Sequence, residues 1–130
     1  MYNQKVLDEF YNPQNVGVIK GASGKGKTVC DKDGEIFKIY VSVENGIVVD
    51  AQFQTFGCVA AIAATSVATR FLIGKTLEDA KAITVKDILS ELGGSVPESK
   101  MHCVEQACKT AQNAIKSVGL KNKAKDDDDE

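Results

Sequence analysis

The sequence predicts an α+β domain, on three observations. An opening helical pattern is followed by two alternating strand patterns, and from there on the pattern is helical. The two strand patterns are joined by Glu44-Asn45-Gly46, a hairpin turn signal. A run of small residues from Cys58 to Gly74 is long enough for about four helical turns. The 130 residues are 43% hydrophobic and 26% charged, the composition of an ordinary globular domain with a modest core. One domain is expected over residues 1–120. Residues 121–130, "KNKAKDDDDE", lack the apolar content to fold and are expected to be a disordered charged tail.

The elements follow in order. Residues 3–11 place Val6, Leu7, Phe10 and Tyr11 on one helical face, and "NPQN" stops that helix. A loop is expected up to about Asp33, with a third strand possible over 26–31. "EIFKIYVSV" alternates Ile36, Lys38 and Tyr40 against Phe37, Ile39 and Val41, and "IVVDAQFQTF" is its antiparallel partner. Gly57 ends the second strand, and the Ala-rich helix begins at Cys58. Thr76 caps a short helix. Thr84, with Asp87 three residues on, opens another that ends at Gly93-Gly94. "MHCVEQACKTAQNAIKSVG" is the last helix, stopped by Gly119.

Gly21–Thr28, "GASGKGKT", satisfies the phosphate-loop pattern G-x-x-x-x-G-K-[ST]. That loop works only between a buried strand and a helix N-terminus. Here Pro13 and Gly17 precede it and a strand pattern follows it. A flexible Gly/Lys surface loop is expected, with no nucleotide bound. The net charge of −2 gives no reason to expect nucleic acid. No apolar run has the length of a membrane span and no secretory signal core is present, so no membrane association and a cytoplasmic location are expected.

In the cytosol, Cys30, Cys58, Cys103 and Cys108 are better read as metal-binding or reactive than as disulfides. Cys30 is expected in the loop before the first clear strand, Cys58 where a strand gives way to a helix, and Cys103, beside the single histidine His102, at the start of the last helix. Helix N-termini lower thiol pKa values, which would prime Cys58 and Cys103 as thiolates. Three thiolates with an imidazole or a carboxylate would suit an iron–sulfur or a zinc site. Cys108 lies five residues beyond Cys103, about 140° round the helix, and reads as a packing residue. Spacing alone leaves metal binding and buried structural cysteines equally open.

Local motifs move that balance. "YNPQNVG" at 11–17, "DAQFQTFGC" at 50–58, "IGKTLEDAKAI" at 73–83 and "KMHC" at 100–103 resemble, in the right order, the iron–sulfur cluster assembly scaffold family of IscU and the NifU N-terminal domain. The resemblance spans about residues 2–118. It implies a three-stranded antiparallel sheet with helices packed against it. It also implies a scaffold rather than a turnover enzyme: a 2Fe–2S cluster is built from iron and from sulfur supplied by a cysteine desulfurase, then passed to apo iron–sulfur acceptor proteins. The implied ligands are Cys30, Asp33, Cys58, His102 and Cys103, with Cys103 first and Cys58 second as persulfide acceptors. The GKGKT stretch would fall in the family's mobile segment.

The sequence departs from the family in one loop. The family's Cys-Gly-Asp motif is replaced by "CDKDGEIF". Aligning the strand sets Asp33-Gly34-Glu35 over the triplet, whereas an insertion after Cys30 explains the same residues. Cys30 and Asp33 therefore both stand as the first ligand, and Asp33 and Glu35 both as the carboxylate gating release. Only Pro97 and Lys100 match the family's chaperone motif, which argues against a dedicated chaperone. Lys100 could steer anions or stabilise a thiolate. A homodimer stays open, and a zinc-binding regulatory or structural protein using the same residues is the rival reading.

Overall fold

The computed structural model describes residues 2–30 and 34–119. Asp33 and the expected tail from residue 121 lie outside the described residues. Helix α1 (Gln4–Tyr11) is capped by Asn3, whose side chain accepts the Val6 N–H. Strands β1 (Gly24–Cys30), β2 (Glu35–Glu44) and β3 (Ile47–Phe56) form an antiparallel sheet in that order. Helices α2 (Val59–Leu72), α3 (Leu77–Lys81), α4 (Val85–Glu91), a 3-10 turn at Glu98–Lys100 and α5 (Met101–Lys116) follow. This is the α+β architecture with a three-stranded sheet that the sequence implies.

The helix starts are set by the side chains read from sequence. Thr76 accepts the Asp79 N–H, and Thr84 with Asp87 forms a reciprocal capping box. Such caps satisfy N–H groups that the first helical turn leaves without partners. Phe37, Ile39 and Val41 of β2 and Val48, Ala51 and Phe53 of β3 point into one core with Ala60, Ala64, Val67, Ala68, Val104, Ala107 and Ala111. The small residues let α2 and α5 lie close to the sheet, as the Ala-rich pattern implies. An ion pair from Arg70 of α2 to Glu9 of α1, at 2.8 Å, ties the first helix down.

The expected flexible loop before β2 is corrected. Gly24–Cys30 is a full strand, paired residue for residue with β2 from Gly24↔Val41 to Cys30↔Glu35. Alternation drives it, with glycine as the inward residue. A Cβ on Gly24 would lie 2.4 Å from the Ala114 carbonyl oxygen, and one on Gly26 2.3 Å from that of Thr110. The glycines let β1 press against the backbone of α5. Cys30 is accordingly the last residue of a strand, not part of a loop. No helix follows Thr28, and the Lys25 N–H donates to Ser117 Oγ at 2.8 Å. No helix among the described residues is long and apolar enough to cross a membrane.

Candidate metal centre

Four chain segments deliver the candidate residues to one end of the sheet. Cys30 and Glu35 are register partners on β1 and β2. Both are buried and point to the side of the sheet occupied by the helices. Cys58 is the N-cap of α2 in an extended conformation and makes no side-chain cap bond. Its placement depends on Gly57: a Cβ there would lie 3.1 Å from the Glu35 side chain. His102 and Cys103 occupy the first turn of α5, led in by the 3-10 turn that ends at Lys100.

Glu35 is the hub of the arrangement. Its Oε2 accepts the Cys58 backbone N–H at 3.2 Å. Its Oε1 lies 3.5 Å from Cys103 Sγ and 3.7 Å from His102 Nε2. Cys103 Sγ is 3.6 Å from Cys58 Sγ and 3.6 Å from His102 Nε2. Cys30, Glu35 and His102 offer ligand atoms all within 4.8 Å of one another, and so do Glu35, Cys58 and Cys103. The two triads share Glu35. All four cysteines are free.

Cys30, Cys58, His102 and Cys103 thus converge as sequence placement suggests. Cys108 stays apart, buried with its thiol directed at the Ile83 carbonyl oxygen at 3.5 Å. The expectation that the helix start lowers the Cys103 thiol is corrected. Burial, then the negative charge and hydrogen bond of Cys58, then Glu35, push it above its ordinary value. Desolvation and neighbouring negative charge both disfavour the thiolate form here. The proton that burial retains on Cys103 is one that a thiophilic cation would displace.

Lys100 and Tyr2 complete the surroundings. Electrostatic interaction with Cys58, more than with any other neighbour, raises the Lys100 ammonium above its usual value. Burial and then the negative charge of Cys58 raise the Tyr2 phenol. Sequence reasoning missed Tyr2 at the site. Its one sequence signal is its position just before the α1 cap Asn3, which does not reveal that Tyr2 lies beside Cys58.

Residues 1–125 match the family model described as NifU-like N terminal domain. The chain is 43% identical over 122 residues to the iron–sulfur cluster assembly scaffold protein IscU 1 of Archaeoglobus fulgidus, covering 94% of this chain and 79% of that protein. It is 44% identical over 123 residues to the IscU scaffold protein of Aquifex aeolicus, covering 92% and 77%. A solved structure of a candidate SUF-system scaffold from Fervidobacterium islandicum AW-1 superposes with a TM-score of 0.75 at 19% identity, over 88% of this chain and 96% of that one, and bears out the fold. The match over nearly the whole chain and the identity to these relatives give one conclusion: the chain belongs to the NifU-like N terminal domain family.

Proposed function

We propose that this protein is a scaffold on which an iron–sulfur cluster, of the 2Fe–2S type, is assembled from iron and desulfurase-derived sulfur and then passed to apo-proteins. It acts as a carrier rather than a turnover enzyme. The observation that carries this reading is the packing of three thiols and one imidazole around the Glu35 carboxylate. Thiolates favour iron in clusters, whereas an oxygen ligand is the harder, more exchangeable partner. A donor needs that mixture, since it must hold its cargo and also release it. Relatives named as iron–sulfur cluster assembly scaffolds support the same role.

Cys30, Cys58, Cys103 and His102 are proposed as cluster ligands. Glu35 is proposed as the exchangeable carboxylate, in preference to Asp33, because it sits at the centre of the group. The placement of Cys30 opposite Glu35 favours Cys30 as the first ligand, with the intervening residues forming the insertion. Sulfur arrives when a scaffold thiolate attacks the sulfane sulfur of a desulfurase persulfide and the desulfurase thiolate leaves. Cys103 and Cys58 are the two acceptors. At 3.6 Å a sulfane sulfur held by one is within reach of the other, so the pair acts as a unit. Electrons from a partner reduce that sulfur to sulfide. Nothing in the site favours zinc over iron as the cargo.

Anaerobic reconstitution with iron and sulfide, followed by metal analysis and a visible spectrum, tests the proposal. Visible absorption with about equal iron and acid-labile sulfide is expected for a 2Fe–2S centre. A colourless protein retaining only zinc after the same treatment would overturn it.

A further inference from the structure

The Cys58 and Cys103 sulfurs lie 3.6 Å apart, held there by segments distant in sequence. Cys103 is buried in the first turn of α5. Its sulfur sits between Glu35 Oε1 at 3.5 Å and His102 Nε2 at 3.6 Å. Cys58 is half-buried, and Glu35 ties its backbone rather than its sulfur. Its N–H donates to Glu35 Oε2 at 3.2 Å, while its thiol makes no cap bond on α2. The Lys100 ammonium interacts electrostatically with this sulfur, which sets positive charge beside it. A disulfide holds its sulfurs at about 2.0 Å. A short movement of the Cys58 side chain towards Cys103 would therefore close that bond.

A persulfide on Cys103 offers the Cys58 thiolate two sulfurs to attack, with different products. Attack on the outer, sulfane sulfur moves that sulfur to Cys58 and expels the Cys103 thiolate. Nothing is reduced. Attack on the inner sulfur, Cys103 Sγ itself, forms the Cys58–Cys103 bond and breaks the bond to the outer sulfur. The outer sulfur leaves with that bond's electron pair and its own proton, as hydrosulfide. Overall, the two cysteine thiols are oxidised to a disulfide and the sulfane sulfur is reduced to sulfide. The inner sulfur is the one the fold sets 3.6 Å from Cys58. Charge acts in the same direction. Outer attack would leave a thiolate buried beside the Glu35 carboxylate, an unfavourable place for a second negative charge. Inner attack leaves none there.

We infer that Cys58 and Cys103 form a dithiol reductant that releases the delivered sulfur as sulfide, so that the partner's electrons act on the resulting disulfide. The inference rests on the scaffold reading for the persulfide it consumes. Two electrons and two protons from a dithiol or another reductant restore both thiols. Cys30, Glu35 and His102 stay outside the disulfide, with ligand atoms all within 4.8 Å of one another. Iron held by that triad would be placed to take up the sulfide as it forms. The disulfide also withholds two cluster ligands until it is reduced. The pair thereby imposes an order, with sulfide made before the cluster is completed.

The test uses metal-free protein and so does not depend on cluster formation. Fully reduced scaffold, freed of small thiols, is mixed under argon with a cysteine desulfurase that carries a radiolabelled persulfide and has been freed of cysteine. Labelled sulfide and the mass of the scaffold chain are measured. The wild type should release sulfide and, in equal amount, give a chain lighter by a pair of hydrogen atoms. Its Cys58 and Cys103 peptides should stay joined until a reductant is added. Cys58→Ser should lose sulfide release and keep the label as a Cys103 persulfide, in a chain heavier by a sulfur atom. Cys103→Ser should lose release and disulfide together, whereas Cys108→Ala should match the wild type. Melting curves check the folding of the variants, and the peptide map of the wild type decides the disulfide without them. A persulfide that persists on the wild type, equal release by Cys58→Ser, a disulfide that engages Cys30 or Cys108 instead, or no uptake of sulfur would each overturn the inference. The scaffold reading fails separately, if reconstitution with iron and free sulfide gives no cluster.

Discussion

The Glu35 carboxylate accepts the Cys58 backbone N–H at 3.2 Å while its other oxygen faces Cys103 and His102 at 3.5 and 3.7 Å. One side chain therefore orients the N-cap of α2 and offers a hard oxygen to any cation held between the thiols. The two roles separate by substitution. Glu35→Gln keeps an acceptor for the Cys58 N–H but removes the charge. Glu35→Ala removes both and leaves that N–H without its partner, at a cost of about 1–3 kcal/mol. Both variants are expected to assemble a cluster on Cys30, Cys58, Cys103 and His102 and to hold it longer against a chelator, because the hard, exchangeable oxygen that competes for the iron is gone. Only Glu35→Ala should also melt lower. Decay of visible absorbance is the measurement, with Asp33→Ala expected to behave as wild type. Slowed decay in Asp33→Ala alone would transfer the gate to that residue.

The cysteines divide three to one. Cys30→Ala, Cys58→Ala and Cys103→Ala should each lose a stable cluster on anaerobic reconstitution. Cys108→Ala should keep it, because its thiol points at Ile83, away from the centre. Removing that buried sulfur should still cost about 1 kcal/mol or more through the space left behind. The pattern to look for is a lowered melting temperature with unchanged cluster content. Cluster loss in Cys108→Ala, or its full retention in Cys58→Ala, would contradict the assignment.

Elements whose signals are local were legible in the sequence. The Thr84–Asp87 capping box, the Glu44-Asn45-Gly46 turn and the Ala-rich run ending at Gly74 each determine their structure through neighbours a few residues away. β1 was hard to read because its inward positions are Gly24 and Gly26, which carry no apolar signal. The reason for glycine there is the backbone of α5, some 85–90 residues on. The convergence of Cys30, Cys58 and Cys103 was legible from their positions at element ends. The protonation of Cys103 was not, since it depends on how deeply packing buries the first turn of α5. Tyr2 was illegible for the same reason.

The raised Cys103 thiol has a consequence for stability. A folded-state pKa above the ordinary 9.0 means that the folded protein holds this proton more tightly than the unfolded chain. That contribution is complete below the ordinary value and is lost as pH rises above it. The cluster-free protein is therefore expected to melt at progressively lower temperature above about pH 9. Cys103→Ser, which has no thiol to titrate, should flatten that part of the profile. Because iron must displace the proton, loading should also improve from neutral to mildly alkaline pH. Melting curves of wild type and Cys103→Ser that fall in parallel would remove this account.

The Gly-Lys-Gly-Lys-Thr stretch gives a test in which its two readings predict opposite results. As a nucleotide loop, its lysine would hold phosphate oxygens and its glycines would expose N–H groups to them. As the strand observed here, its glycines matter because α5 lies against them, and Lys27 is exposed on the far face. Gly26→Val would drive a side chain into the Thr110 carbonyl oxygen and the Ala114 backbone, at 2.3 and 2.6 Å from the new Cβ. Backbone cannot yield as a side-chain tip can, so the loss should reach at least the 1–3 kcal/mol typical of overpacking. Lys27→Ala should change stability by no more than about 0.5 kcal/mol. Denaturant melts of the two variants give these values. Calorimetry of the wild type with Mg–ATP and with Mg–GTP should show no saturable heat. Saturable binding that vanishes in Lys27→Ala, together with a Gly26→Val protein as stable as wild type, would restore the nucleotide reading and leave the packing of β1 on α5 without support.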